Sequence, residues 1–248
     1  MSTDEPLTAE LKKSYATEAL RLQNEFSDRH DGISFVRQRA AAVDAVAAKL
    51  WVASLPGGAE TPGVALVALY DWGTRTLFPY SEIDALFLHT NDASMESLAA
   101  PLTKFCQEMT ALNLKLNITT RTLEKCAAFD PDQPEWSLAL LDCRCVAGDQ
   151  TPFSQLRERF IPEMIFRDSH EIAERLADSS RTRHRKFGNT VFHLEPDVRD
   201  GPGGLKDFGA ARCAAVISAI EEQHGWPAVD TIFPAGNQEP LNAAEAFL

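Results

Sequence analysis

The stretch Val64-Ala-Leu-Val-Ala-Leu69 limits the fold more than any other part of the chain. It is apolar without a break, of strand length and rich in Val, which suits a strand buried on both faces. Pro56-Gly57-Gly58 stands before it as a stop signal, so the run opens a new element. A second candidate strand, Ser81-Glu-Ile-Asp-Ala-Leu-Phe-Leu88, begins acidic and ends apolar, and residues 114–119 alternate like a half-exposed strand. Residues 72–80 read as a loop between the first two.

Helical periodicity flanks this unit. Leu11, Tyr15, Ala19 and Leu22 recur at spacings of three and four, predicting a helix over 7–29, and a second pattern runs over 33–55 after a break at 30–32. Residues 95–112 also read as helix. From about Glu135 the pattern is mainly helical, over 136–145, over 153–176 and again after Gly204. The expected architecture is α+β, with an N-terminal helical hairpin (1–60), a small α+β core (61–130) and a helical region (131–248). The last residues, Ala243-Ala-Glu-Ala-Phe-Leu248, are apolar and helix-forming without a cap, which suggests a cut inside a longer protein.

Composition narrows the function. At 248 residues the chain is long enough to bury a core unaided, and 44% hydrophobic with 24% charged residues is ordinary for a globular protein. Lys and Arg number 24 against 36 Asp and Glu, a net charge of -12, which argues against a nucleic-acid binder that neutralises many phosphates. One basic cluster, Arg181, Arg183, His184, Arg185 and Lys186, reads either as a solvated helix end or as an anion-binding patch. The five cysteines lack metal-ligand spacing and read as reduced thiols. The polar, acidic N-terminus is unlike a signal peptide and no run is long enough to span a membrane, so a cytoplasmic, membrane-free protein is expected.

Glu82 and Asp84 are the candidate chemistry. Residues i and i+2 of a strand share a face, so the two carboxylates stand side by side while Ile83 points to the core. Such a pair can hold Mg²⁺, which bridges to nucleotide phosphates; the plainer reading is a strand that begins with exposed acids. Asp200-Gly-Pro-Gly-Gly-Leu-Lys-Asp207 reads as a turn before a helix. Its N–H groups, with Lys206 assisting, can bind an anion, or the turn can serve only to pack two helices. The six histidines include no helical zinc pair, and no nucleophile elbow or phosphate-binding loop ending in Gly-Lys-Ser/Thr occurs.

Three ordered segments carry a resemblance. Residues 67–84, with Tyr70-Asp-Trp-Gly-Thr-Arg-Thr-Leu77 and Ser81-Glu-Ile-Asp84, resemble the Gly-Gly-Tyr-Gly-Arg-Gly-Glu-Leu and Ser-Asp-Ile-Asp signature of the PII uridylyltransferases, of the nucleotidyltransferase superfamily. Leu140-Leu-Asp-Cys-Arg-Cys-Val-Ala-Gly-Asp149 and Leu194-Glu-Pro-Asp-Val-Arg-Asp-Gly-Pro-Gly-Gly-Leu-Lys-Asp207 are similar to two later family segments. The resemblance implies a polymerase-β-like nucleotidyltransferase fold, with a small mixed sheet flanked by helical segments. It also implies Mg²⁺ at Glu82 and Asp84 as the catalytic pair, and UTP bound near Gly73, Arg75, Ser81, Gly203, Gly204 and Lys206. The reaction implied is transfer of UMP to a tyrosine of the PII nitrogen-signalling protein. The family's Gly-Gly is Tyr70-Asp71 here and its first acid is Glu82, which leaves two readings. In one, a working transferase holds Mg²⁺ at Glu82 and Asp84, with Asp71 available as a replacement ligand; in the other, a degenerate domain serves as a regulatory or scaffold module.

Overall fold

The computed structural model describes residues 5–58, 61–90, 92–130 and 133–227. The chain divides into two compact units: Met1–Cys126 with Asp142–Leu156, and Ala127–Leu141 with Arg157–Leu248. The C-terminal residues 243–248, read above as helix-forming, lie outside the described residues.

The first unit is built on a four-stranded mixed sheet of order β3-β2-β1-β4. Its strands are β1 (Val64–Ala68), β2 (Ile83–His89), β3 (Leu116–Thr122) and β4 (Arg144–Gly148). β1 pairs antiparallel with β2 and β4, and β2 pairs parallel with β3. Every residue of β1 is buried, as its unbroken apolar run requires for an interior strand. The hairpin α1 (Glu5–Arg29) and α2 (Gly32–Ser54) and the helix α4 (Asp92–Ala111) complete the unit. One core joins Val43, Leu50 and Trp51 of α2, Leu66 and Phe87 of the sheet, and Phe105 and Met109 of α4. α2 starts where Asp31 accepts the Ser34 N–H at 2.9 Å, a side-chain cap for an otherwise orphaned donor.

Two elements differ from expectation. Residues 72–80 are not wholly loop, because Tyr70–Gly73 form a short helical turn, α3, directly after β1. The helix expected over 136–145 ends at Leu141 as α6 (Pro134–Leu141), and Cys145 lies in β4. β4 is half-buried at every position, so it lacks the alternation that marks a strand; pairing with β1 decides its conformation. α5 (Leu123–Cys126) and α7 (Gln150–Gln155) are short helices of this unit.

The second unit is helical, and α6, α8 (Ile161–Lys186) and α9 (Leu205–Gln223) pack on one another. The continuous helix expected over 153–176 is divided by a π-helical turn at Leu156–Phe160. Met164, Ile165 and Ile172 of α8 and Val216, Ile217 and Ile220 of α9 are buried. No helix among the described residues is long and apolar enough to cross a membrane. The molecule is thus α+β with a small mixed sheet, compatible with a nucleotidyltransferase-like fold.

Candidate active site

The parallel register of β2 and β3 assembles the acid pair. Ile83 opposes Leu116 and Asp84 opposes Asn117, and the Ile83 N–H donates to the Lys115 carbonyl at 2.8 Å. Ile83 is 1% exposed, so Glu82 and Asp84 are left on the other face. The same register sets a partner beside each acid: Lys115 forms an ion pair with Glu82, and Asn117 Nδ2 donates to Asp84 Oδ1 at 2.8 Å. The sequence alone gives neither Lys115 nor Asn117 a place beside the acids, since that pairing arises only once β3 aligns with β2.

Asp84 is half-buried. Desolvation pushes its carboxyl above the usual carboxylate range; the Asn117 amide opposes this, while the negative charges of Glu82 and Asp71 add to it. Asp71 therefore lies within electrostatic reach of the pair. Its Oδ2 accepts from Ser81 Oγ at 2.7 Å, tying the turn after β1 to the segment that enters β2. A cation placed here would relieve the repulsion among these acids.

The other residues expected in this unit take different places. Gly73 is buried, and a Cβ there would lie 2.7 Å from the Asp142 carbonyl oxygen and 3.1 Å from that of Ala68, so close backbone approach requires the glycine. Arg75 is exposed with φ 62°, and Ser81 is half-buried with its hydroxyl donated to Asp71. Tyr70 has φ 48°, so the left-handed backbone expected of a glycine persists where a tyrosine stands. Asp142 lies in the turn between α6 and β4, not within a helix as read above.

Gly203, Gly204 and Lys206 belong to the second unit. Gly203 has φ 82° and its N–H donates to Asp207 Oδ2 at 2.6 Å; a Cβ on Gly204 would lie 2.5 Å from the Val198 carbonyl oxygen. Lys206 forms an ion pair with Asp200 at 2.5 Å. Asp207 also receives Arg183 at 2.6 Å, and His184 Nε2 lies 2.8 Å from both its oxygens. Burial raises the Asp207 carboxyl, but the Gly203 N–H, His184 and Arg183 outweigh it and hold the carboxyl below its ordinary range. Of the N–H groups at this turn, that of Gly203 is taken by Asp207, and those of Gly204, Leu205 and Lys206 donate to backbone carbonyls. Two members of the basic cluster are spent on Asp207, and Arg181 pairs with Asp178 at 2.7 Å.

Comparison with known proteins gives this geometry a context. The family GlnD PII-uridylyltransferase matches residues 170–248. A bifunctional uridylyltransferase/uridylyl-removing enzyme of Pseudoalteromonas translucida (strain TAC 125) is 31% identical over 188 residues, covering 75% of this chain and 21% of that protein. One from Vibrio vulnificus (strain YJ016) is 30% identical over 206 residues, covering 83% and 23%. The chain is a relative of the uridylyltransferase/uridylyl-removing enzymes. It spans less than a quarter of the length of these relatives. The matched uridylyltransferase family region takes in Gly203, Gly204 and Lys206, whereas Glu82 and Asp84 precede it.

Among the described residues no group of three or more His, Cys, Asp or Glu side chains is arranged to hold a metal ion. Two carboxylates nevertheless fit Mg²⁺ of the kind that arrives with a nucleotide, since that ion is commonly held by one or two carboxylates together with substrate phosphates.

Proposed function

We propose that this chain carries the nucleotidyl-transfer site of a PII uridylyltransferase, transferring UMP from UTP to a tyrosine of the PII signalling protein. The observation that carries this reading is the Glu82 and Asp84 pair at the start of β2, in a chain related to uridylyltransferases. Glu82 and Asp84 would hold a Mg²⁺ ion. When bound, it supplies charge neutralisation at the α-phosphate as the tyrosine oxygen forms its bond to phosphorus and pyrophosphate leaves. Asn117 fixes the orientation of Asp84 by occupying Oδ1, which leaves Oδ2 for the ligand. Lys115, already beside Glu82, lies where a phosphate carried to that pair would meet an ammonium group.

Calorimetric titration of UTP with and without Mg²⁺, into the native chain and into Asp84→Asn, tests this. The expected outcome is metal-dependent binding that Asp84→Asn abolishes, followed by UMP incorporation into PII. Asp71 favours a second reading, in which the domain is degenerate and serves as a regulatory or scaffold module. Its carboxylate stands where the family motif has glycine and already engages Ser81. Under that reading UTP binds only after Tyr70→Gly and Asp71→Gly are introduced together.

A further inference from the structure

Behind the acids, three elements of the first unit meet at one carboxylate oxygen. Asp44 Oδ1, on α2, accepts from Trp72 Nε1 at 2.8 Å and from Arg144 Nη2, on β4, at 2.7 Å. Arg144 Nη2 also donates to the Trp72 carbonyl at 3.0 Å, and its guanidinium lies 5.9 Å from the Trp72 ring centroid. The Arg144 and Asp44 side chains are 19% and 24% exposed, so this charge pair is largely withdrawn from water and sensitive to the loss of either partner. Trp72 is fully buried and Gly73 is pressed on the Asp142 carbonyl, so the inner side of the turn 70–73 is held fast. Its outer side presents Asp71, which grips Ser81 at the start of the Ser81-Glu-Ile-Asp84 segment.

The geometry points to Asp44 as a positioning residue: through Trp72 and Arg144 it fixes the turn that carries Asp71, and through the Asp71–Ser81 bond it sets the segment bearing Glu82 and Asp84. This rests on the reading of Glu82 and Asp84 as a cation-binding pair. Asp44 makes no claim on the ligand itself. Its role is orienting, at a further remove than the direct outer partners of metal ligands, whose loss commonly costs about 10–100-fold in metal affinity.

Two measurements on the full chain test the inference. Mn²⁺ binding, followed by electron paramagnetic resonance, is expected to weaken in Asp44→Ala by about 10-fold, the low end of the loss seen for direct outer partners. It should stay closer to native in Asp44→Asn, which keeps an acceptor oxygen for both donors, although the lost charge opposite Arg144 lowers stability. Amide exchange without any metal is expected to quicken at residues 81–84 as well as 70–76 in Asp44→Ala. Trp72→Phe, which removes the indole donor along with part of the buried ring, should show the same spread to a smaller degree and serves should Asp44→Ala fail to fold. Val43→Ala, a core change in the same helix, should lower stability while leaving Mn²⁺ affinity unaltered. Unchanged exchange at 81–84 in both Asp44→Ala and Trp72→Phe overturns the positioning role. Absence of Mn²⁺ binding in the native chain instead counts against the cation-binding reading, and exchange alone then decides whether Asp44 positions the acids.

Discussion

A methyl group at residue 73 would have to displace two backbone carbonyls, those of Asp142 and Ala68, and neither belongs to a flexible side chain. Gly73→Ala is therefore expected to cost about 1–3 kcal/mol, read as a lower urea midpoint at unchanged slope. Asp84 carries the opposite expectation. Burial, Glu82 and Asp71 lift its folded pKa above the unfolded value near 3.9 despite the Asn117 bond, so its ionisation opposes folding above the folded pKa. That penalty disappears below the unfolded value, where the group is protonated in both states. Asp84→Asn should accordingly be more stable than the native chain at pH 7, with the gap closing as the pH falls through the folded pKa and closed by about pH 4. Unfolding curves at the two pH values check the sign, and a variant less stable at pH 7 would contradict it. A carboxylate retained against stability is expected where chemistry is the reason for it. The alternation around Ile83 made this pair legible in the sequence. The partners Lys115 and Asn117, and the Asp44 network, were not, because each depends on residues far apart in the chain being brought into register.

Among the elements, the turn before α9 is held by two carboxylates: Asp197 Oδ1 accepts from the Arg199 and Asp200 N–H groups, and Asp207 joins the turn to α8. Asp207 satisfies the Gly203 N–H, Arg183 and His184 together, and its depressed pKa means that this contribution is complete above the unfolded value near 3.9. It is lost as the pH falls through the folded value. The native chain should thus lose more stability on acidification than Asp207→Asn does, and the difference between their unfolding free energies should shrink below about pH 4. Amide exchange at Gly203 locates the effect. Helices with a clear period, such as α1 and α2, and the wholly apolar β1 were legible at this scale, because burial wrote a pattern into each. β4 was not: a half-buried strand of five residues has no period of its own, and its neighbour in the sheet gives it its form. The π-helical turn at Leu156–Phe160 likewise left no mark in the spacing of apolar residues.

Across the whole molecule, the first compact unit is not one continuous segment, since Asp142–Leu156 rejoins it after the chain has supplied Ala127–Leu141 to the second. A boundary near residue 130, natural from composition, would sever β4 from the sheet. A chain ended at residue 130 is expected to self-associate, because β1 would then present an apolar, unpaired edge. A chain ended at residue 156 keeps β4 and should associate less, which sedimentation of the two at equal concentration decides. The sheet order also has a consequence during translation. Synthesis at about 5–20 residues per second takes roughly 4–15 s to pass from Ala68 to Arg144. For that interval the nascent chain must carry β1 with at least one apolar side unpaired, an edge that only the synthesis of β4 can close.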